Sequence, residues 1–155
     1  MRRVLGFAAV SLLALAVSVP TALAAPGSGD AARGGGRIHI DFVRYDPAGP
    51  DNGSNAHVNK EIVQITNGTN RRRNLAGWTV RDSDGHRYRF PRTSVGRHKT
   101  VTLHTGNGRD HGLQRYWDQG FYVWNNDGDR ATLRDRDGRV KDSCNWGDGS
   151  GSTGC

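Results

Sequence analysis

Beyond its first 24 residues this 155-residue chain holds no second apolar run of about 20 residues, so nothing later in it has the length to cross a membrane as a helix. Nor does any later segment longer than about ten residues repeat its apolar side chains at the 3.6-residue period of a helix. Cysteine is scarce. The two present, Cys144 and Cys155, lack the CxxC spacing and neighbouring histidines of a thiolate metal site. Neither HExxH nor a GxSxG elbow occurs, which removes the simplest signatures of a zinc enzyme or a serine hydrolase. No cofactor motif is present.

What is there begins with a leader. Arg2 and Arg3 precede an apolar run from Val4 to Val19, Pro20 breaks it, and Ala22-Leu23-Ala24 is a small-x-small cleavage signal. This is the pattern of a secretory signal peptide over residues 1–24, and the chain is expected to be exported. Cleavage after Ala24 leaves 131 residues, enough for one core, with 20 basic against 15 acidic side chains. Such a charge favours loose contact with polyanions such as nucleic acid or an anionic cell-envelope polymer. In an exported protein, two cysteines close in sequence read as a disulfide, Cys144 to Cys155. It would close the Gly/Ser-rich stretch 147–154, pin the tail and contribute about 3 kcal/mol.

Residues 25–36 are Ala, Gly, Pro and Ser with a few charges, a composition that cannot bury enough surface to order itself, so a flexible linker is expected there and a single domain over 37–155. From Arg37 the period changes to two: Ile38, Ile40 and Phe42 alternate with polar residues over 37–44. Further strands are expected at 58–66, with Glu61, Val63 and Ile65 on one face, then at 75–81, 86–90 and 99–105. Several short strands with turn signals between them point to an all-β sandwich or barrel. Within it, Trp78 and Trp124 stand beside aliphatic residues in alternating segments and are expected between the sheets.

One phrase occurs twice, Thr79-Val80-Arg81-Asp82-Ser83-Asp84-Gly85 and Thr132-Leu133-Arg134-Asp135-Arg136-Asp137-Gly138. Each leaves an alternating stretch and enters an Asp-Gly pair, the signal of a β-hairpin with a type I′ turn at Asp84-Gly85 and at Asp137-Gly138. The aspartates also suggest calcium, but an EF-hand needs glycine at its sixth position, and here glycine follows a single Asp-x-Asp. Turn chemistry accounts for Asp and Gly in these places; a weak calcium site between two loops at one sandwich end is the remaining reading. Asn52-Gly53-Ser54 and Asn67-Gly68-Thr69 fit the N-glycosylation pattern and are read as turns, without modification.

Three segments taken together go beyond a fold class: Val58-Asn59-Lys60-Glu61-Ile62-Val63-Gln64-Ile65-Thr66-Asn67, the Asn74-Leu75-Ala76-Gly77-Trp78 strand running on to Asp82, and Val123-Trp124-Asn125-Asn126-Asp127-Gly128-Asp129 running on to Asp135. At this spacing they resemble the lamin tail domain, in the pattern of its small exported bacterial members. The resemblance covers about residues 37–146 and implies an immunoglobulin-like β-sandwich that serves as a folding or attachment module, with no invariant catalytic set.

The best binding signal in the residues themselves is Arg71-Arg72-Arg73, in the loop between the second and third expected strands, with Arg87, Arg89, Arg92, Arg97, His98 and Lys99 in later loops or strand edges. Successive arginines contact phosphates without reading sequence, and Tyr45, Tyr116 or Trp117 beside them would add stacking. The plainer reading of such a run is a solvated turn. Two functions follow. The first is a secreted, non-enzymatic attachment module that meets polyanions through its basic loops. The second is a small secreted metal-dependent hydrolase, such as a nuclease, built on scattered histidines and aspartates.

Overall fold

The alternating apolar residues after Arg37 form a strand, β1 (Ile38–Arg44), in a computed structural model that describes residues 36–155. The expected signal peptide at 1–24 and the expected linker up to residue 35 lie outside the described residues. Alternation does not carry through to Phe42. The pairing of β1 shifts between Ile40 and Phe42, a bulge that turns Val43 and Tyr45 into the core and leaves Phe42 half-buried under the Arg44 guanidinium.

A strand beginning at Val58 is not seen; residues Asn55–Val58 form one helical turn, α1, because Ser54 accepts the His57 backbone N–H through its Oγ at 3.3 Å and caps it. The strand starts later, as β2 (Ile62–Asn67). Of the expected strand over 75–81 only the end forms, as β4 (Thr79–Arg81), with the short β3 (Arg73–Asn74) ahead of it. Between them the Trp78 N–H donates to the Leu75 carbonyl at 2.9 Å and Gly77 takes φ +80°, a turn that only glycine enters at little cost. The chain continues through β5 (Arg87–Arg89), β6 (Ser94–Val95), β7 (Thr100–His104), β8 (Gln114–Tyr116), β9 (Gly128–Arg134), β10 (Val140–Gly147) and β11 (Ser152–Gly154).

These strands make a five-stranded sheet in the order β11-β1-β2-β7-β8, a four-stranded sheet β10-β9-β4-β5, and the short ribbon β3-β6. All pairs are antiparallel except β7 with β8. Ile40, Val63, Ile65, Val101 and Leu103 from the first sheet meet Val80, Ala131 and Leu133 from the second, none of them more than 1% exposed. A chain of rings, Tyr45, Trp146, Trp124, Trp117, Tyr88 and Phe90, runs through this core with centroids 4.9–6.0 Å apart. Trp124 is 2% exposed at its centre; Trp78, expected between the sheets, has no place in the chain of rings and is only partly buried at the core's edge, because the turn at Gly77 displaces it.

Both Asp-Gly hairpins form, with a different turn from the expected one. Asp82 pairs with His86 and Asp135 with Arg139, so each loop has three residues ending on glycine, with φ +106° at Gly85 and +81° at Gly138. Asp84 and Asp137 stay at negative φ, which excludes type I′; in the second hairpin the Gly138 N–H donates to the Asp135 carbonyl, giving a three-residue turn closed by a bulge glycine. The tail is likewise more ordered than its composition suggests. Residues Ser152–Gly154 pair with β1, and the Cys144–Cys155 disulfide, Cα atoms 5.6 Å apart, ties β10 of one sheet to the end of β11 in the other. It joins the sheets rather than merely pinning a loose end. Among the described residues no helix is long and apolar enough to cross a membrane.

Glu61, just ahead of β2, is fully buried. Its two carboxyl oxygens accept the backbone N–H groups of Val123 and Trp124, at 3.0 and 3.3 Å, and so fasten the strandless segment that delivers Trp124 to the core. Burial outweighs these bonds and pushes the carboxyl up to about 8.

Candidate polyanion-binding surface

Arg71, Arg72 and Arg73 are exposed, and the loop that carries them is held from within. The buried Asn67 places its amide nitrogen 2.8 Å from the Arg71 carbonyl, 3.0 Å from that of Val95 and 2.9 Å from that of Gly96. Its amide oxygen accepts the Thr69 N–H and hydroxyl, and Arg73 Nε donates to the same hydroxyl at 3.3 Å. The Asn67 side chain is therefore occupied inside the fold, at the end of β2 and not within a turn.

A larger concentration of arginine lies on the outer face of β4, β5 and β9. Val80, Tyr88 and Leu133 point inward, so their neighbours Arg81, Arg87, Arg89 and Arg134 point out. The two copies of the doubled phrase lie side by side here: Thr79 opposes Arg134, Val80 opposes Leu133, and Arg81 opposes Thr132. On the other side of β4, Arg81 stands directly across from Arg87 and Thr79 from Arg89. Like charges directly opposite destabilise a sheet, and among the described residues neither Arg81, Arg87 nor Arg89 has a carboxylate partner.

Three adjoining concavities connect this face to the loop. One of about 210 Å³ is walled by Arg81, Arg87, Arg89, Arg134 and Arg136. The next, about 430 Å³, shares Arg136 and Asp135 with it and reaches Trp78, Arg72 and Arg73. A third, about 300 Å³, lies beyond Trp78 between Arg73, Arg37 and Lys141 and has no acidic lining residue among the described residues. Asp135 and Asp137 are committed to their turn: Asp135 accepts the Asp137 and Arg139 N–H groups, and Asp137 pairs with the Arg136 and Arg139 guanidiniums.

The other candidate residues are placed elsewhere. Asp82 accepts the Gly85 N–H and the His86 ring, Asp84 accepts the Asn125 amide, and Asp129 accepts the N–H groups of Ser83, Asn125 and Arg130. Each caps or crosses a loop. Among the described residues no three of His, Cys, Asp and Glu are grouped as metal ligands. Of the scattered histidines, His57 is buried, with Nδ1 2.7 Å from the Tyr122 hydroxyl. Tyr45 and Trp117 are core residues and Tyr116 stacks on His104, so none of the three adds stacking beside the arginine loop. Trp78 stands there instead. Arg81, Arg134 and Arg136 went unnoticed as sequence because they sit inside the hairpin phrase; alternation with Val80 and Leu133 was the signal that could have found the first two.

Two packed, mostly antiparallel sheets with a basic outer face define an immunoglobulin-like β-sandwich domain. Residues 31–148 match the model of the Lamin Tail Domain, and the chain belongs to that family of immunoglobulin-like domains. No curated protein matches it significantly.

Proposed function

We propose that this protein is an exported, non-enzymatic attachment module that holds polyanions, nucleic acid or an anionic cell-envelope polymer, on the basic strip running from Arg71-Arg72-Arg73 past Arg136 to Arg81, Arg87 and Arg89. The observation that carries the reading is the cross-strand pair Arg81 and Arg87, which costs the sheet stability and lacks a carboxylate among the described residues. Arginines fixed on a sheet and on a pinned loop can meet phosphate or carboxylate oxygens with little further loss of side-chain freedom. An inter-sheet disulfide agrees with an oxidising compartment, and so with the leader read at 1–24.

Retention on immobilised DNA and on an acidic envelope polymer, measured across a salt gradient, tests this reading. Binding should weaken steeply with salt, and replacing Arg81, Arg87 and Arg89 together with Arg71–Arg73 by serine should abolish it. Cleavage of DNA or RNA in the presence of divalent metal, lost with chelator and on substitution of a single His or Asp, would instead establish the hydrolase reading.

A further inference from the structure

Three of the four tryptophans are spent in the chain of core rings; Trp78 is not. Among the described residues it has no stacked ring, no cation over its face and no acceptor for its indole N–H. It is part-exposed and borders two of the three concavities, with Arg72, Arg73 and Arg136 alongside the turn-bound Asp135 and Asp137 on one side, and Arg37, Arg73 and Lys141 on the other. Arg37 is turned toward Asp142 at 3.2 Å, which leaves Arg73 and Lys141 as the cations of the inner concavity without a carboxylate partner among the described residues. A Cβ at Gly77, the residue before Trp78, would lie 3.3 Å from Arg136 Cβ and 3.4 Å from Arg89 Nη2, so glycine there lets these two arginines pack closely against the turn.

An aromatic platform set within a track of cations is the combination that holds an unpaired nucleotide, the ring receiving a base and the cations its phosphates. We infer that Trp78 and its flanking Arg72, Arg73 and Lys141 form a subsite for one unpaired base of a single-stranded nucleic acid. A duplex keeps its bases stacked and offers the indole nothing, and a polyanion without rings uses only the cations. The inference rests on the polyanion reading above and names which polyanion the strip prefers.

The test compares three probes on the purified protein by fluorescence anisotropy or competition: a labelled oligothymidine, a duplex of equal length, and inorganic polyphosphate. Trp78→Leu should weaken oligothymidine binding about ten-fold, the loss of one stacked base, and leave duplex and polyphosphate binding within about two-fold. Trp78→Tyr, which retains an aromatic face, should recover most of the loss; melting curves of both variants show whether the fold is intact. Equal loss for all three probes would overturn the subsite, as would an unchanged oligothymidine affinity while polyphosphate still binds. Greater dependence on Trp78 for an acidic polysaccharide than for oligothymidine would overturn the choice of base. If wild-type protein binds none of the probes, the polyanion reading itself fails, and the subsite with it.

Discussion

Two regions of this domain handle charge in opposite ways. Just ahead of β2 a single carboxyl group, Glu61, is withdrawn from water and given two backbone N–H donors, and its work is to hold Trp124 in place. On the outer face of β4, β5 and β9, arginines are set opposite one another in water without carboxylate partners among the described residues. The contrast separates an acid that builds the fold from charge left available to something outside it. Removal of the first should be felt in stability and not in binding; removal of the second should be felt in binding and hardly in stability.

The largest effect is expected at Glu61. Glu61→Ala orphans two buried N–H groups and leaves a void, a loss of about 4 kcal/mol in denaturant unfolding, with polyanion affinity of the folded fraction unchanged. A cost below about 1 kcal/mol would break the comparison at its structural end. Next comes the bridge between the sheets: Cys144→Ser with Cys155→Ser should lower stability by about 3 kcal/mol, and mass measurement after alkylation should find two thiols only when the wild-type protein has been reduced.

A smaller effect is pH-dependent. Because the folded Glu61 carboxyl lies near 8 against 4.5 as its ordinary value, the folded state binds this proton more tightly than the unfolded chain. The resulting stability is complete below about 4.5 and is lost as pH rises through about 8. Thermal melts across that window should show a decline that Glu61→Gln flattens. The smallest change is at the arginines: Arg81→Thr with Arg87→Thr should shift stability by no more than about 0.5 kcal/mol, toward greater stability, as like-charge opposition is relieved. A clear loss there would mean that these side chains serve the fold after all.

Much of the fold was legible because it depends on local alternation. Val63 and Ile65 with Glu61 on one face, the two hairpins and the disulfide could all be read along the chain. Where a bulge or a tight turn interrupts the period, the reading fails: Phe42 gives way to Val43, and Gly77 cuts a strand and moves Trp78 from the core to its edge. The candidate surface was legible only in part. Arg71-Arg72-Arg73 announces itself as a run, whereas Arg81, Arg87, Arg89 and Arg134 come from separate segments and become one face only when β4 takes its place between β5 and β9.

The sequence by itself determined the all-β character, the resemblance to lamin tail domains and the cysteine pair, since periodicity, turn residues and motif spacing are properties of neighbours in the chain. Tertiary structure alone decided that the two copies of the doubled phrase lie antiparallel with their arginines on one face, that the tail is a strand locked across the sheets, and that Trp78 stands among cations. Those are relations between segments many residues apart, fixed by strand order and register, which no local pattern encodes.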